Sequence, residues 1–76
     1  MNDQRILVTG GSGLLGSYLL RWFKYHGYTN LTATHHKEGT IPVDLKNGIE
    51  WRSLTLPDIP KAFDIVRDKD WVIHTA

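Results

Sequence analysis

The spacing of apolar positions changes several times along the chain, and each change marks an element. Residues 5–9 form a run centred on Ile6, Leu7 and Val8 and closed by Gly10, which predicts a strand buried on both faces of a parallel sheet. From Leu14 the spacing becomes helical. Leu15, Tyr18, Leu19, Trp22 and Phe23 predict an amphipathic helix that stops at His26-Gly27. Residues 28–34, with Leu31 and Ala33 among threonines, predict a second strand. Residues 35–48 sustain no period and are expected to form a loop, long enough to be functional or mobile. Residues 49–54 predict a third strand, and residues 55–58 a turn. A short helix is expected over 59–67, with Ile59, Ala62, Phe63 and Val66 as its apolar face and Asp58 as its N-cap. Asp68-Lys69-Asp70 turns the chain into a fourth strand over 71–76.

Strands that alternate with helices favour an α/β fold with a parallel sheet and right-handed crossovers. The expectation is a sheet of about four strands with at least two helices. Apolar strands of this kind need cover on both faces, and two helices are too few to supply it. Residues 1–76 therefore read as the N-terminal part of one larger, doubly wound domain.

Composition adds mainly exclusions. Hydrophobic residues make up 41% and charged residues 22% of the 76, as in an ordinary globular chain. Nine Lys+Arg against eight Asp+Glu leave a net charge of +1, with the basic residues scattered, so no stripe suits a nucleic-acid backbone. There is no cysteine, hence no disulfide framework, thiolate metal site or cysteine nucleophile. The apolar run at Ile6–Val8 is far too short for a signal-peptide core or a membrane span. These features together lead to the expectation of a cytoplasmic protein with neither nucleic-acid nor membrane partners.

The chemistry concentrates in Thr9-Gly10-Gly11-Ser12-Gly13-Leu14-Leu15-Gly16. Gly10, Gly13 and Gly16 stand three apart between an expected strand and an expected helix. Gly10 allows a tight turn at positive φ, Gly13 presents no side chain to a pyrophosphate, and Gly16 lets helix and strand approach. The amides of Ser12, Gly13, Leu14 and Leu15 would then donate to phosphate oxygens, helped by the helix dipole. The alternative is an ordinary glycine-rich turn; strand, triplet, helix and second strand in this order favour the nucleotide unit. No Gly-Lys-Ser or Gly-Lys-Thr follows, which excludes a nucleoside-triphosphate P-loop.

The segment from Ile6 to Gly16 resembles the opening of the extended short-chain dehydrogenase/reductase family, the NAD-dependent epimerase/dehydratase superfamily. Its Ser-Gly-Leu-Leu-Gly wording looks most like the dTDP-4-dehydrorhamnose reductase branch. Asp70-Trp71-Val72-Ile73-His74-Thr75-Ala76 is similar to the strand by which that family brings backbone to the nicotinamide ribose, implicating Thr75 and Ala76. The resemblance implies a Rossmann fold and an NAD(P)-dependent reductase or epimerase of nucleotide sugars. It further implies a Tyr-x-x-x-Lys pair later in a full-length protein, with the nucleotide-sugar substrate bound only there, and a homodimer as one arrangement of that protein. Tyr25 and Tyr28 have no lysine four residues on, so the 76 residues alone are expected to be inactive. The same family includes a regulatory methionine adenosyltransferase subunit with a similar loop, so a non-catalytic dinucleotide-binding subunit stands as the alternative.

Cofactor choice turns on the end of the second strand, where an NAD site would carry an acid for the ribose hydroxyls. His35, His36 and Lys37 stand there instead, which favours NADP(H) over NAD(H); solvated loop residues are the plainer reading. Asp44 would reach the ribose only if the loop folds back. The resemblance sets Leu54-Thr55-Leu56-Pro57-Asp58 on the family's Leu-Asp-Leu-Thr-Asp stretch. Thr55 thus stands where an aspartate usually meets the adenine, and Leu56 keeps the apolar wall. His26, His35, His36 and His74 lack metal-ligand spacing. His74 reads as a hydrogen-bonded core histidine; Trp22, Trp51, Trp71, Phe23 and Phe63 read as core or subunit contacts.

Overall fold

The computed structural model describes residues 3–35, 41–53 and 64–75. Four strands, β1 (Ile6–Thr9), β2 (Leu31–His35), β3 (Ile49–Ser53) and β4 (Trp71–His74), form one sheet in the order β3-β2-β1-β4. Every pairing is parallel. Helix α1 (Leu14–Tyr25) links β1 to β2, a 3-10 turn (Val43–Leu45) precedes β3, and residues 64–66 are helical ahead of β4. This is the expected α/β architecture, the N-terminal half of a Rossmann-like fold. The expected helix over 59–67 is described only at its end, and its cap Asp58 lies outside the described residues.

Strand alternation and the register sort the sheet into two faces. Ile6, Val8, Leu31, Ala33 and Ile49 share one face and pack with Leu20 and Phe23 of α1 and with Leu45 of the 3-10 turn. The other face carries Leu7, Thr32 and Thr34, all buried, with Arg52. Arg52 reaches Asp64 at 3.9 Å, which sets the helical residues 64–66, including buried Ile65, beside this second face.

Helix α1 ends where the sequence suggests, and by an identifiable device. Gly27, at φ 83°, donates to the Lys24 carbonyl, and the Tyr28 amide donates to that of Phe23. This pair of bonds is a Schellman C-cap. Tyr28 then packs edge-on to Phe23 with ring centroids 5.1 Å apart, so the chain enters β2 only at Leu31, three residues later than its composition predicts.

The buried face of α1 differs from the expected one. Gly16, Ser17, Leu20 and Phe23 point inward, whereas Leu15, Tyr18 and Trp22 are exposed. Small residues at positions 16 and 17 let the helix press onto the preceding loop, and the spacing of large apolar residues misses them. The 3-10 turn is pinned to this helix. Arg21 donates to both carboxylate oxygens of Asp44 at 2.7 and 3.0 Å, and the Lys24 ammonium reaches the Asp44 and Asn47 carbonyls. Trp51 donates through Nε1 to the Leu45 carbonyl at 2.8 Å, tying β3 to the same turn.

Candidate functional site

At the carboxyl ends of the strands, β1 runs into the glycine loop and the loop into α1. Gly10 adopts φ 68°, the left-handed conformation the sequence demands of it. A Cβ at Gly16 would collide with the Gly10 carbonyl and come within 2.8 Å of Gly11 Cα, so only glycine allows helix and loop to touch here. Gly13 is the helix N-cap and supplies no capping side chain. The first-turn amides of Leu14, Leu15 and Gly16 have no intrahelical acceptor, and Gly13, Leu14 and Leu15 are exposed. Positive dipole ends and open amides of this kind suit an anion.

The Gly13 amide departs from expectation. It donates to the Gly10 carbonyl at 3.0 Å, closing the loop on itself, so it is not free for a phosphate. Ser12 is half-buried between the two glycines.

Two threonines frame the turn. The Gly10 amide donates to Thr34 Oγ1 at 3.0 Å, and the Gly11 amide to the Thr34 carbonyl at 2.9 Å. On the other side Thr75 Oγ1 donates to the Thr9 carbonyl at 2.5 Å and lies 3.3 Å from the Gly10 carbonyl. Thr75 was expected to contribute backbone toward a nicotinamide; its hydroxyl is turned onto the loop. Sequence reasoning passed over Thr34, for a threonine in a β-rich run carries no distinguishing signal.

Gly11 was also unassigned. It is buried, and a Cβ there would come within 2.7 Å of Ala33 Cβ, 3.0 Å of Leu20 Cδ1 and 3.2 Å of the Trp51 ring. Three elements converge on that one position.

His35 closes β2, on the α1 face with Ala33. It is 6% exposed, its ring meets that of Trp51 edge-on at 6.1 Å, and its Nδ1 is buried with no hydrogen-bond partner among the described residues. A buried, unpaired ring nitrogen is costly unless something polar completes it. His36, Lys37, Thr55, Leu56 and Ala76 lie outside the described residues. Asp44 is held by Arg21, whose hydrogen bond keeps its carboxyl below the ordinary aspartate range and turns it toward α1.

His74 corrects another expectation. It is hydrogen-bonded, Nδ1 to Thr9 Oγ1 at 2.7 Å, but exposed within the described residues, where β4 has β1 as its one neighbouring strand. Of the aromatic residues expected as core or subunit contacts, Phe23 is buried, Trp51 packs against the core, and Trp22 and Trp71 are about half exposed; Phe63 lies outside the described residues. Among the described residues, no three His, Cys, Asp or Glu side chains gather to hold a metal, and no helix is long and apolar enough to cross a membrane.

A parallel sheet in the order β3-β2-β1-β4, with a glycine-tight turn leading from the first strand into an uncapped helix, defines an α/β protein of the Rossmann-like, dinucleotide-handling class. The chain belongs to the NAD dependent epimerase/dehydratase family, whose model matches residues 6–76. A nicotinamide dinucleotide cofactor follows from that membership. No curated protein matches the chain.

Proposed function

We propose that residues 1–76 are the cofactor-binding portion of an NAD(P)-dependent nucleotide-sugar reductase or epimerase, similar to the dTDP-4-dehydrorhamnose reductases. The observation that carries this reading is the loop itself: Gly10 in the left-handed region, Gly16 pressed against it, and a bare N-cap at Gly13 leaving open first-turn amides. Those amides, with the backbone of Ser12, would hold the pyrophosphate. Gly10 and Gly13 keep the approach clear of side chains, while Leu14 and Leu15 flank it. The dinucleotide, when bound, supplies the hydride chemistry; the protein's part within these residues is to bind and orient it.

The preferred cofactor is NADP(H). His35 ends β2 in place of the acid that would repel a 2′-phosphate, and its buried Nδ1 has no partner among the described residues, a place that a phosphate or ribose oxygen would fill. His36 and Lys37 follow it in sequence and add donors of the right kind, Thr55 and Leu56 would meet the adenine, and Thr75 with Ala76 would lie toward the nicotinamide end. The sugar substrate and any homodimer belong to the full-length protein, as does a catalytic Tyr-x-x-x-Lys pair.

Titrating the protein with NADPH and NADH tests the proposal. NADPH is expected to bind about tenfold more tightly, the worth of one charge-assisted hydrogen bond. Equal affinities, or tighter NADH, would overturn the NADP(H) preference, and failure of both to bind would overturn the cofactor-binding reading. The 76 residues alone should oxidise no NADPH in the presence of a keto sugar nucleotide, and measurable turnover would contradict their assignment as a cofactor portion only.

A further inference from the structure

We infer that Thr34 and Thr75 are positioning residues for the cofactor's pyrophosphate, clamping Gly10 from the strands on either side of β1. This rests on the reading of the glycine loop as the pyrophosphate site. The two hydroxyls grip the Thr9–Gly10 peptide unit from its amide and carbonyl edges. Thr34 Oγ1 accepts from the Gly10 amide at 3.0 Å; Thr75 Oγ1 donates to the Thr9 carbonyl at 2.5 Å and lies 3.3 Å from the Gly10 carbonyl. That Gly10 carbonyl is the acceptor of the Gly13 amide, so its direction decides where the helix N-terminus sits. Both threonines are buried, at 4% and 8% exposure, and hydrogen bonds shielded from water hold their geometry more firmly than exposed ones.

The clamp also explains why the turn needs two different neighbours. A glycine at φ 68° has no side chain of its own to fix its peptide planes, and rotation of either plane would swing the first-turn amides away from a bound anion. The Thr34 and Thr75 hydroxyls hold the plane before Gly10 from its two edges, and the Gly11 amide's bond to the Thr34 carbonyl, with the Thr75 hydroxyl 3.3 Å from the Gly10 carbonyl, bears on the plane after it. A Cβ at Gly10 would run into the Thr75 hydroxyl at 2.8 Å, so loop and threonine are fitted to each other. Neither hydroxyl needs to touch the ligand. Their effect should fall on ligands that carry the diphosphate and spare ligands that do not.

The test compares T34V and T75V, which replace each hydroxyl by a methyl of the same shape, with T34S and T75S, which retain it. Affinities for NADH and for adenosine, which lacks phosphate, are read by NMR titration of the whole chain. Each valine variant is expected to weaken NADH binding by roughly five- to tenfold, the net worth of one buried hydrogen bond. Adenosine affinity should stay unchanged, and the serine variants should restore NADH binding. Equal losses for NADH and adenosine, or no loss for NADH, would overturn the clamp while leaving the cofactor reading intact. If the unaltered chain binds no NADH, both fall together. Hydrogen exchange in the unaltered chain gives a check that needs no variant. The Gly10 amide should exchange slowly because Thr34 accepts from it, and rapid exchange would remove Thr34 from the clamp.

Discussion

Adding one methyl group at Gly11 tests whether the core is assembled as described. Its φ lies outside the left-handed region, so alanine is permitted by the backbone and the effect is one of space. Two terms favour G11A: burying a methyl is worth about 0.8 kcal/mol, and restricting the unfolded chain about 0.4–1 kcal/mol. Against them stands a Cβ 2.7 Å from Ala33 Cβ, inside the ~3.5–4.0 Å of an ordinary carbon contact. Ala33 cannot rotate away, and its strand is paired on both sides. Overpacking should therefore reach the upper end of its range, about 3 kcal/mol. The net loss is about 1.5 kcal/mol, or roughly 6–12 °C in melting temperature for a chain of this size. Thermal unfolding followed by circular dichroism measures it. In an A33G background the closest contact disappears, leaving Leu20 and Trp51, whose side chains can give by a few tenths of an ångström. There G11A should become neutral or stabilising, a coupling of about 1–3 kcal/mol. A G11A protein that melts at or above the parent, or strict additivity with A33G, would refute the convergence of the three elements at Gly11.

Two further perturbations follow. G16A puts its Cβ against backbone atoms of Gly10 and Gly11, which no rotamer change relieves, so it should cost about 3 kcal/mol or more and abolish NADH binding; a well-folded, binding-competent G16A in dichroism and titration would contradict the helix-to-loop contact. Asp44 and Asp70 are both held below the ordinary aspartate range, Asp44 chiefly by hydrogen bonds from the Arg21 side chain and Asp70 chiefly by the Arg5 backbone amide. A depressed carboxylate contributes stability that is present above its unfolded value, about 3.9, and lost as pH falls through the folded one. Urea midpoints should therefore drop below about pH 4, and D44N should remove part of that drop; an identical acid dependence in D44N would discount the Arg21 pair.

The sheet was readable from the sequence because its strands are short apolar runs and its connections carry their own punctuation. β1 follows from Ile6, Leu7 and Val8, and the Gly27 cap is visible as a glycine after a helical period. The start of β2 was misread because Tyr28 suits a strand and an aromatic cluster equally well, and only its contact with Phe23 decides. His74 reads as buried within an apolar strand, but the pattern of a single strand does not show how many neighbours it has, and among the described strands β4 has one, β1. Of the site, the glycines could be read individually because each answers a local need. The contributions of Thr34, of the Thr75 hydroxyl and of Gly11 depend on register between strands far apart in sequence, and no local pattern encodes that.

The order of strands also sets an order of assembly. β1 sits between β2 and β4, one about 25 residues along the chain and the other 65, the separation of the Arg5–Asp70 contact. Closing the longer loop costs about 0.8 kcal/mol more in chain entropy than the shorter. The β1–α1–β2 unit can therefore form while β4 is still loose, and contacts of such span slow folding. The Thr75 end of the glycine turn is completed only when β4 docks. In a stopped-flow refolding experiment, helical dichroism should recover before NADH fluorescence reports binding, and simultaneous recovery would mean that β4 docks together with the rest. β1 is thus the later of the two inner strands to gain both of its neighbours, and competence for the cofactor trails the appearance of the helix that would receive it.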